Sequence, residues 1–290
     1  MRKLILIALA VGACLLADYA AHGQELRVPD RVVANSGATI QTSGSGSSTL
    51  YVIGPGLALK KEVTLGQPVL LSADQLRNAG RYMVVLGSGK SARTAALFVV
   101  PGQATKLNFL AKPSRVPVAR PDVISGVAFV FDDYKNLVTE PARVTFNLVV
   151  ANAAPVARTV EAHDGIAWAK LPSSAKAGAA QFSASIGGAV PVRRVVQQVA
   201  SDPCNLRFRA QPTKDGIVVE TDPVRDCSGN PVPDGTIVTF IQTDSRGRST
   251  VDARVKRGVA RADLPAAPNA TITVASGVVL GNELHWGGAR

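Results

Sequence analysis

The chain has 290 residues, of which 46% are hydrophobic, 18% charged and 5% aromatic, and its formal net charge is +11. The modest charge and the frequent apolar runs exclude a disordered protein, and the length is enough for two or three domains of about 100 residues each. The 26 glycines and 18 prolines, spread among many Val, Thr and Ala residues, favour short strands and turns over long helices. The chain is therefore predicted to be all-β.

Residues 1–23 have the pattern of a signal peptide. Arg2 and Lys3 precede an apolar stretch, and small residues close the segment at Ala21 and Gly23. Cleavage after Gly23 removes two basic residues and one acidic residue, so the mature net charge falls from +11 to +10. We expect an exported protein that resides in the periplasm, on the cell surface or outside the cell.

A second interpretation of the same segment is a lipoprotein signal. Residues 11–14 read Val-Gly-Ala-Cys, which loosely matches a lipoprotein cleavage box in which Cys14 would carry the lipid anchor. Leu15 and Leu16 continue the apolar stretch where a polar tether normally begins. After Gln24 no apolar run approaches the roughly 20 residues needed to span a bilayer, so no transmembrane segment is expected in the mature chain.

The positive charge is distributed along the chain. It includes Lys60, Lys61, Arg193, Arg194, Arg246, Arg248, Arg254, Lys256 and Arg257. Such a surface attracts an anionic partner through long-range fields, or it simply keeps the protein soluble. Nucleic acid is excluded as a partner, because the chain is exported and no aromatic residues accompany the basic clusters to stack on bases.

Two cysteines, Cys204 and Cys227, remain once the signal peptide is removed. Residues 205–210 and 216–221 are predicted strands, with a turn at 213–216 between them. Folding about this turn brings Cys204 opposite Cys227, and an even number of thiols in an exported protein favours a structural disulfide. A redox or metal pair would need closer spacing and further ligands, so no metal or cofactor is expected.

Two stretches of the chain repeat each other. DDYKNLVTEPARVTF at 132–146 and DCSGNPVPDGTIVTF at 226–240 align at a constant offset of 94 residues. The match continues upstream in LNFLAKP (107–113) and LRFRAQP (206–212), and downstream in GIAWAKLP (165–172) and GVARADLP (258–265). The shared residues alternate with variable ones, which places them on one buried face of a sheet. The repeat therefore predicts two homologous sandwiches of antiparallel sheets.

The repeated phrase itself reads as a turn. Asp226 can accept hydrogen bonds from backbone N–H groups two or three residues on, Gly229 and Asn230 tolerate the left-handed conformation, and Pro231 and Pro233 hold the exit extended. Catalysis by Asp226 or its counterpart would require a nucleophile, base or metal nearby, and the sequence places none there. The protein is therefore predicted not to be an enzyme.

These residues resemble the bacterial immunoglobulin-like domains of the invasin and intimin type. Repeats of that family commonly carry an Asp, a Gly-Asn, a Pro-Val-Pro-Gly-like stretch and Val-Thr-Phe, followed later by a Gly-x-Ala strand. Residues 226–240 match closely, whereas the earlier copy has Lys135 and Leu137 in place of the Gly and the first Pro. The resemblance covers residues 104–286 and implies an Ig-like fold in a surface context. It transfers no binding residues, because these motifs specify turns and core.

Residues 24–103 lie outside the repeat but alternate in the same manner. The stretch NAGRYMV (78–84) contains the Ala-Gly-x-Tyr phrase that begins strand F of many Ig domains, in which the Tyr hydroxyl bonds back to the preceding corner. GSGKS (87–91) lacks the first Gly of a phosphate-binding loop and reads as a hairpin turn. We therefore predict three tandem Ig-like sandwiches, at 24–103, 104–196 and 197–290, the last with the disulfide.

Three residues are candidates for contacting a partner. Alternation turns Trp168 outward, where it could anchor a protein or a saccharide ring, or pack against a neighbouring domain. Arg115 and Arg120 lie in PSRVPVAR (113–120), which reads as a loop that is longer than its counterpart in the second copy. The function expected is a structural or adhesive module at the cell envelope or outside the cell, whose partner is a protein or an anionic or saccharide ligand. The alternative is a carbohydrate-binding accessory module of an exported enzyme.

Overall fold

The computed structural model describes residues 25–287, so the predicted signal peptide and Cys14 lie outside the described residues. The described chain is built from strands and contains three separate hydrophobic cores. It divides into two compact units. The first extends to Gln103 and includes the short segment Asp133–Asn136, and the second contains Ala104–Asp132 and the chain from Leu137 onward. The second unit holds two of the cores, and the three domain boundaries stay predictions.

The first sandwich belongs to the first unit. Its strands are β1 (Leu26–Arg27), β2 (Arg31–Val33), β3 (Ala38–Thr42), β4 (Ser47–Gly54), β5 (Leu57–Thr64), β6 (Val69–Leu71), β7 (Gly80–Leu86) and β8 (Arg93–Val100). One sheet has the order β1-β3-β6 and the other the order β2-β8-β7-β4-β5. All pairings are antiparallel except that of β2 with β8.

The corner predicted at Tyr82 is present. The buried Tyr82 hydroxyl donates a hydrogen bond of 2.9 Å to the carbonyl of Asn78, four residues before it, and lies 3.2 Å from the carbonyl of Pro55. Burial raises the pKa of this phenol above its ordinary value. The GSGKS stretch spans the connection from β7 to β8, as the hairpin interpretation predicted. The tyrosine corner and the strands of this third of the chain agree with the Ig-like interpretation, and its assignment as a separate Ig-like domain stays a prediction.

The second sandwich opens the second unit. Its strands are β9 (Lys106–Lys112), β10 (Arg115–Pro117), β11 (Ile124–Phe131), β12 (Ala142–Val150), β13 (Val156–Ala162), β14 (Ile166–Leu171), β15 (Gly178–Ile186) and β16 (Val192–Val199). One sheet has the order β14-β11-β9 and the other the order β10-β16-β15-β12-β13. Strand β10 runs parallel to β16.

The third sandwich follows in the same unit. Its strands are β17 (Pro203–Cys204), β18 (Phe208–Pro212), β19 (Gly216–Thr221), β20 (Arg225–Asp226), β21 (Ile237–Asp244), β22 (Gly247–Arg254), β23 (Arg261–Pro265), β24 (Ala270–Ser276) and β25 (Val279–Trp286). The main sheets have the orders β18-β19-β23 and β22-β21-β24-β25, and β17 pairs with β20. The predicted strand at 205–210 is displaced, because only Phe208, Arg209 and Ala210 of this range lie in β18.

The shared residues of the repeat form the cores, as alternation predicted. Phe109, Phe146 and Phe182 pack together in the second sandwich, with ring centroids 5.0 to 6.1 Å apart. Phe208 and Phe240 occupy the first two of these positions in the third sandwich, with centroids 5.7 Å apart. Burying these apolar faces is the main source of stability for both sandwiches.

The interpretation of PSRVPVAR as a plain loop is wrong. Strand β10 forms within it, and Val116 and Val118 are buried in or beside the core of the second sandwich. The hydrogen bond from the Val118 N–H to the Val199 carbonyl continues the pairing with the sheet edge beyond β10. The alternation of apolar and polar residues covers only a few positions here and is interrupted by Pro117. It was therefore too short to predict a strand.

Candidate functional site

The repeated phrase builds a corner whose centre is the carboxylate of Asp226. Oδ1 accepts hydrogen bonds of 2.9 Å from the backbone N–H of Ser228, two residues on as predicted, and from that of Asn230, which is one residue beyond the predicted range. Oδ2 accepts a third, of 3.0 Å, from the N–H of Ser201 in the segment that leads from the second sandwich to the third. Gly229 has the left-handed conformation, with φ of 83°. In the earlier copy Lys135 takes the same conformation, with φ of 69°, although it is not a glycine.

Asn230 has a role that the turn interpretation missed. Its side-chain Nδ2 donates to the carbonyl of Ala175 at 2.8 Å, and its Oδ1 accepts from the N–H of Ala177 at 2.9 Å. Both partners lie in the second sandwich, in the loop that precedes β15. Asn230 is 7% exposed, so these hydrogen bonds are shielded from water. The amide therefore joins two consecutive sandwiches.

The earlier copy makes the same pair of contacts. Asn136, which belongs to the first compact unit, accepts a hydrogen bond of 2.7 Å from the N–H of Ala79 and donates one of 2.8 Å to the carbonyl of Arg77. In each case the amide engages a loop in which an Ala-Gly pair begins a strand, β7 or β15. Each contact joins residues more than 50 positions apart, so local turn chemistry could not reveal it.

The environment of Asp226 stabilises its ionised form. Burial alone raises the pKa of the carboxyl, but the hydrogen bonds from the Asn230 side chain and from the N–H groups of Asn230, Ser201 and Ser228 outweigh it. The pKa of Asp226 therefore lies below its ordinary value. A lowered pKa in the folded state contributes stability above the unfolded-state pKa, and this stability is lost as the pH falls through the folded-state value.

We expect Asp226→Asn to flatten the acid dependence of unfolding. In the unmodified protein the free energy of unfolding should decline as the pH falls below about 4, where the Asp226 carboxyl takes up a proton in the unfolded chain while it is still ionised in the folded protein. The variant should be less stable at pH 7 but should lose less stability between pH 7 and pH 3, as measured by urea unfolding. Asp263→Asn, at an exposed position on β23, is the control and should keep the original dependence. An unchanged pH dependence in Asp226→Asn would contradict this role.

The predicted disulfide between Cys204 and Cys227 is present, with a Cα–Cα distance of 4.9 Å. Pairing places Cys204 opposite Arg225, so the two cysteines are offset along the β17–β20 ladder and do not face each other directly. The two cysteines are 23 positions apart in the sequence, and the segment between them contains β18 and β19. It therefore fixes the start of the third sandwich beside the Asp226 corner.

Trp168 lies on the outer face of the β14-β11-β9 sheet, in a row of apolar side chains. Trp168 pairs with Val127 and Val127 pairs with Leu110, and this set is called the Trp168 row. In the next row Ile166 pairs with Phe129. Trp168 and Leu110 are each 56% exposed and Ile166 is 44% exposed, while Val127 and Phe129 are half-buried. These five residues form one continuous surface, called the apolar face.

Lysines border the apolar face. Lys112 and Lys170 lie on either side of Ser125 in the row next to the Trp168 row. The ammonium group of Lys170 lies 5.5 Å from the centre of the Trp168 ring, within the range of a cation–π interaction. Along these three described strands, no outward-facing position is an Asp or a Glu. The surface is therefore apolar at its centre and positive at its edge.

The same positions in the third sandwich are charged. The repeat aligns the Trp168 row with Arg209, Glu220 and Arg261, which also pair across β18, β19 and β23. Arg209 and Glu220 form an ion pair with an N–O distance of 3.1 Å. The fold therefore accepts a charged row at this place, and nothing in the architecture requires the apolar one.

The arginines lie away from this face. Arg115 is exposed on β10, which belongs to the opposite sheet. Arg120 is exposed near the segment between the sandwiches, with its Nη2 3.9 Å from the Asp202 carboxylate. It lines an open cavity of about 260 Å³ together with Pro117, Ala200, Ser201, Asp202, Pro203, Val232, Pro233 and Thr236. The structure does not bring Arg115 or Arg120 together with Trp168.

One buried polar group departs from the repeat. Gln242 takes the place of Leu148 on the inner face of the central strand, and its buried Oε1 has no hydrogen-bond partner. It borders an open cavity of about 230 Å³ that Asp244, Arg246 and Arg248 also line.

Within residues 25–287, no three His, Cys, Asp or Glu side chains are grouped so as to hold a metal ion. No described helix is long and apolar enough to cross a membrane.

Comparison with known proteins finds likeness in structure alone. No family model matches the chain, and no curated protein sequence matches it. The fold is similar to that of FdeC, described as a broadly conserved Escherichia coli adhesin, with 15% identity over 91% of this chain and 96% of that chain and a TM-score of 0.62. At this identity the likeness concerns the fold, and it agrees with the tandem Ig-like architecture.

Two further solved structures align more loosely. One is invasin, described as a bacterial integrin-binding protein, with 13% identity, coverage of 89% of this chain and 57% of that chain, and a TM-score of 0.49. The other is InvD of Yersinia pseudotuberculosis, with 15% identity, coverage of 91% and 96%, and the same TM-score of 0.49. Neither alignment adds to what the FdeC comparison establishes about the fold.

Proposed function

We propose that this protein is an exported, non-enzymatic Ig-like module that binds a partner at the cell envelope or outside the cell, in a structural or adhesive role. The observation that carries the proposal is the contrast between the Trp168 row and its charged counterpart in the third sandwich. Exposed apolar surface bordered by charge is costly to maintain in water and marks interaction sites. The fold does not need it, so binding is the function that explains it.

The side chains of the described residues whose chemistry could serve catalysis include the Asp226 carboxylate and two histidines. The Asp226 carboxylate is engaged by three backbone N–H groups and by Asn230. His163 and His285 are both exposed, and His285 pairs with Thr271 and Glu283 on its own sheet. A general base or nucleophile needs a reacting group and an orienting partner converging on one cleft. This arrangement supports a binding module over an enzyme.

The binding proposal predicts that replacing the Trp168 row with the charged residues of the third sandwich weakens attachment of the protein to cells. The row-swap variant is Leu110→Arg/Val127→Glu/Trp168→Arg, which recreates the Arg-Glu-Arg row found at the matching positions. Fluorescently labelled protein should bind a panel of intact bacterial and animal cells, and the row-swap variant should bind at least ten times more weakly. Val278→Arg, at a turn position that is 94% exposed, is the control for added positive charge and should bind normally.

Equal binding by the unmodified protein and the row-swap variant would contradict the proposal. So would a failure of the unmodified protein to bind any cell in the panel. The carbohydrate-binding alternative is tested in parallel, because treating the cells with glycosidases would remove a saccharide ligand and leave a protein ligand intact.

Export is part of the same proposal. When the full chain is expressed in a Gram-negative host, intact-mass spectrometry of the envelope and medium fractions should show a protein that begins at Gln24. A lipoprotein would instead begin at a lipid-modified Cys14, and Cys14→Ser would remove that species. Full-length protein retained in the cytoplasm, with residues 1–23 still attached, would contradict export.

A further inference from the structure

We infer that the apolar face of the second sandwich binds a protein surface that presents apolar side chains bordered by carboxylates. The inference rests on the proposed binding function and adds the chemical class of the partner. It follows from three properties of the face, which are its apolar centre, its lysine border and its lack of carboxylates.

The centre of the face favours a protein over a saccharide. Val127 lies beside Trp168, Leu110 lies beyond Val127, and Ile166 lies two residues along β14, and these three side chains offer no hydrogen-bonding atoms to sugar hydroxyls. The one side-chain amide on the outer face of these strands is Asn108, at the end of the row that contains Phe129. Polar groups that lose water on binding must be paired, so a saccharide laid on this surface would leave hydroxyls unsatisfied. Aliphatic and aromatic side chains from a protein partner meet no such cost, and burying them supplies the driving force for association.

The border sets the charge of the partner. Lys112 and Lys170 lie in the row beside the Trp168 row, and neither has an acidic neighbour on its face of the sheet. Carboxylates on the partner would pair with these ammonium groups, and the overall positive charge of the protein would steer an acidic protein toward them. Lysines that flank an apolar centre therefore select for a negatively charged rim.

The same border disfavours a second copy of this chain. In a two-fold interface the same patch meets itself, so the interface would contain the lysines of both copies and no carboxylate from this face to pair with them. Like charges brought into one interface oppose association. A heterologous acidic partner avoids this repulsion.

The test uses synthetic peptides as probes with the purified full protein. The main probe has Leu-Phe pairs flanked by Glu residues. One control peptide replaces every Glu with Lys, and the other replaces every Leu and Phe with Ser. Affinities for the unmodified protein and every variant are measured by fluorescence anisotropy of labelled peptides. In the unmodified protein the indole ¹H–¹⁵N signal of Trp168 locates the binding, and Trp286→Phe identifies this signal because the chain has two Trp residues.

We expect the Glu-Leu-Phe peptide to bind at least ten times more tightly than either control peptide, and the affinity to fall as salt is added. The row-swap variant should bind it at least ten times more weakly. The charge-reversal variant Lys112→Glu/Lys170→Glu should reverse the preference and bind the Lys peptide more tightly than the Glu peptide. Unchanged unfolding midpoints in both variants would show that these losses arise at the surface.

Several results would overturn the inference. Equal binding of all three peptides, or peptide binding that survives the row swap, would remove the assigned partner class. The same holds if heparin fragments or anionic phospholipid vesicles bind through the Trp168 row and the peptide does not, although the proposed binding function would then stand. If attachment to cells is also insensitive to the row swap, both the inference and the proposed function are wrong.

Discussion

Gly126→Val is expected to lower the free energy of unfolding of the second sandwich by about 3 kcal/mol, the upper part of the range for overpacked cores. A Cβ atom at Gly126 would lie 2.7 Å from Phe182, 2.9 Å from Phe146 and 3.0 Å from Phe109. The three rings already contact one another, so none can move without displacing another. Urea unfolding of the unmodified protein and the variant measures the difference.

The third sandwich indicates a second substitution that should offset the loss of stability in Gly126→Val. The repeat aligns Gly126 with Val219 and Phe182 with Ile272, so one copy combines a small residue with a large ring and the other combines two aliphatic residues. Phe182→Ile alone should cost about 2 kcal/mol through lost burial and a small cavity. The double variant Gly126→Val/Phe182→Ile should be more stable than the sum of the single changes predicts. Strict additivity would show that the two sites do not share a space.

Removing the disulfide is expected to have an effect of similar size. Cys204→Ser/Cys227→Ser should lower the free energy of unfolding of the third sandwich by about 3 kcal/mol, since the lost cross-link releases a loop of 23 residues in the unfolded chain. Urea unfolding under non-reducing conditions measures this loss, and adding a reductant to the unmodified protein should reproduce it. Ser228→Ala, next to Cys227, is the control and should change stability little. A double variant as stable as the unmodified protein would contradict the estimate.

Much of the fold could be predicted from local patterns. Period-two alternation identified the inward residues at Phe109, Phe146 and Phe240 because the chemistry of a sheet face repeats every second residue. The Tyr82 corner was recognisable because its hydrogen-bond partner, Asn78, lies only four residues away. Features of this kind can be predicted because they depend only on residues that are close together in the sequence.

Features that depend on distant residues were less accessible. The contacts of Asn230 with the loop before β15 connect residues more than 50 positions apart. Alternation predicted that Trp168 points outward, but only the strand register places Val127 and Leu110 beside it. The contrast with the third sandwich was already present in the aligned repeat, at Trp168 and Arg261. The strand pairings were needed to show that this contrast involves all three residues of the Trp168 row.

The central claim is that shared residues of the repeat build the fold, whereas the Trp168 row, where the two copies differ, serves binding. The most direct test is the free energy of unfolding of the row-swap variant, measured by urea unfolding beside its affinity for cells. We predict a change in stability of no more than about 1 kcal/mol, as expected for exposed positions, together with at least a tenfold loss of binding. A loss of several kcal/mol of stability, or retained binding, would show that the row supports the fold and contradict the claim.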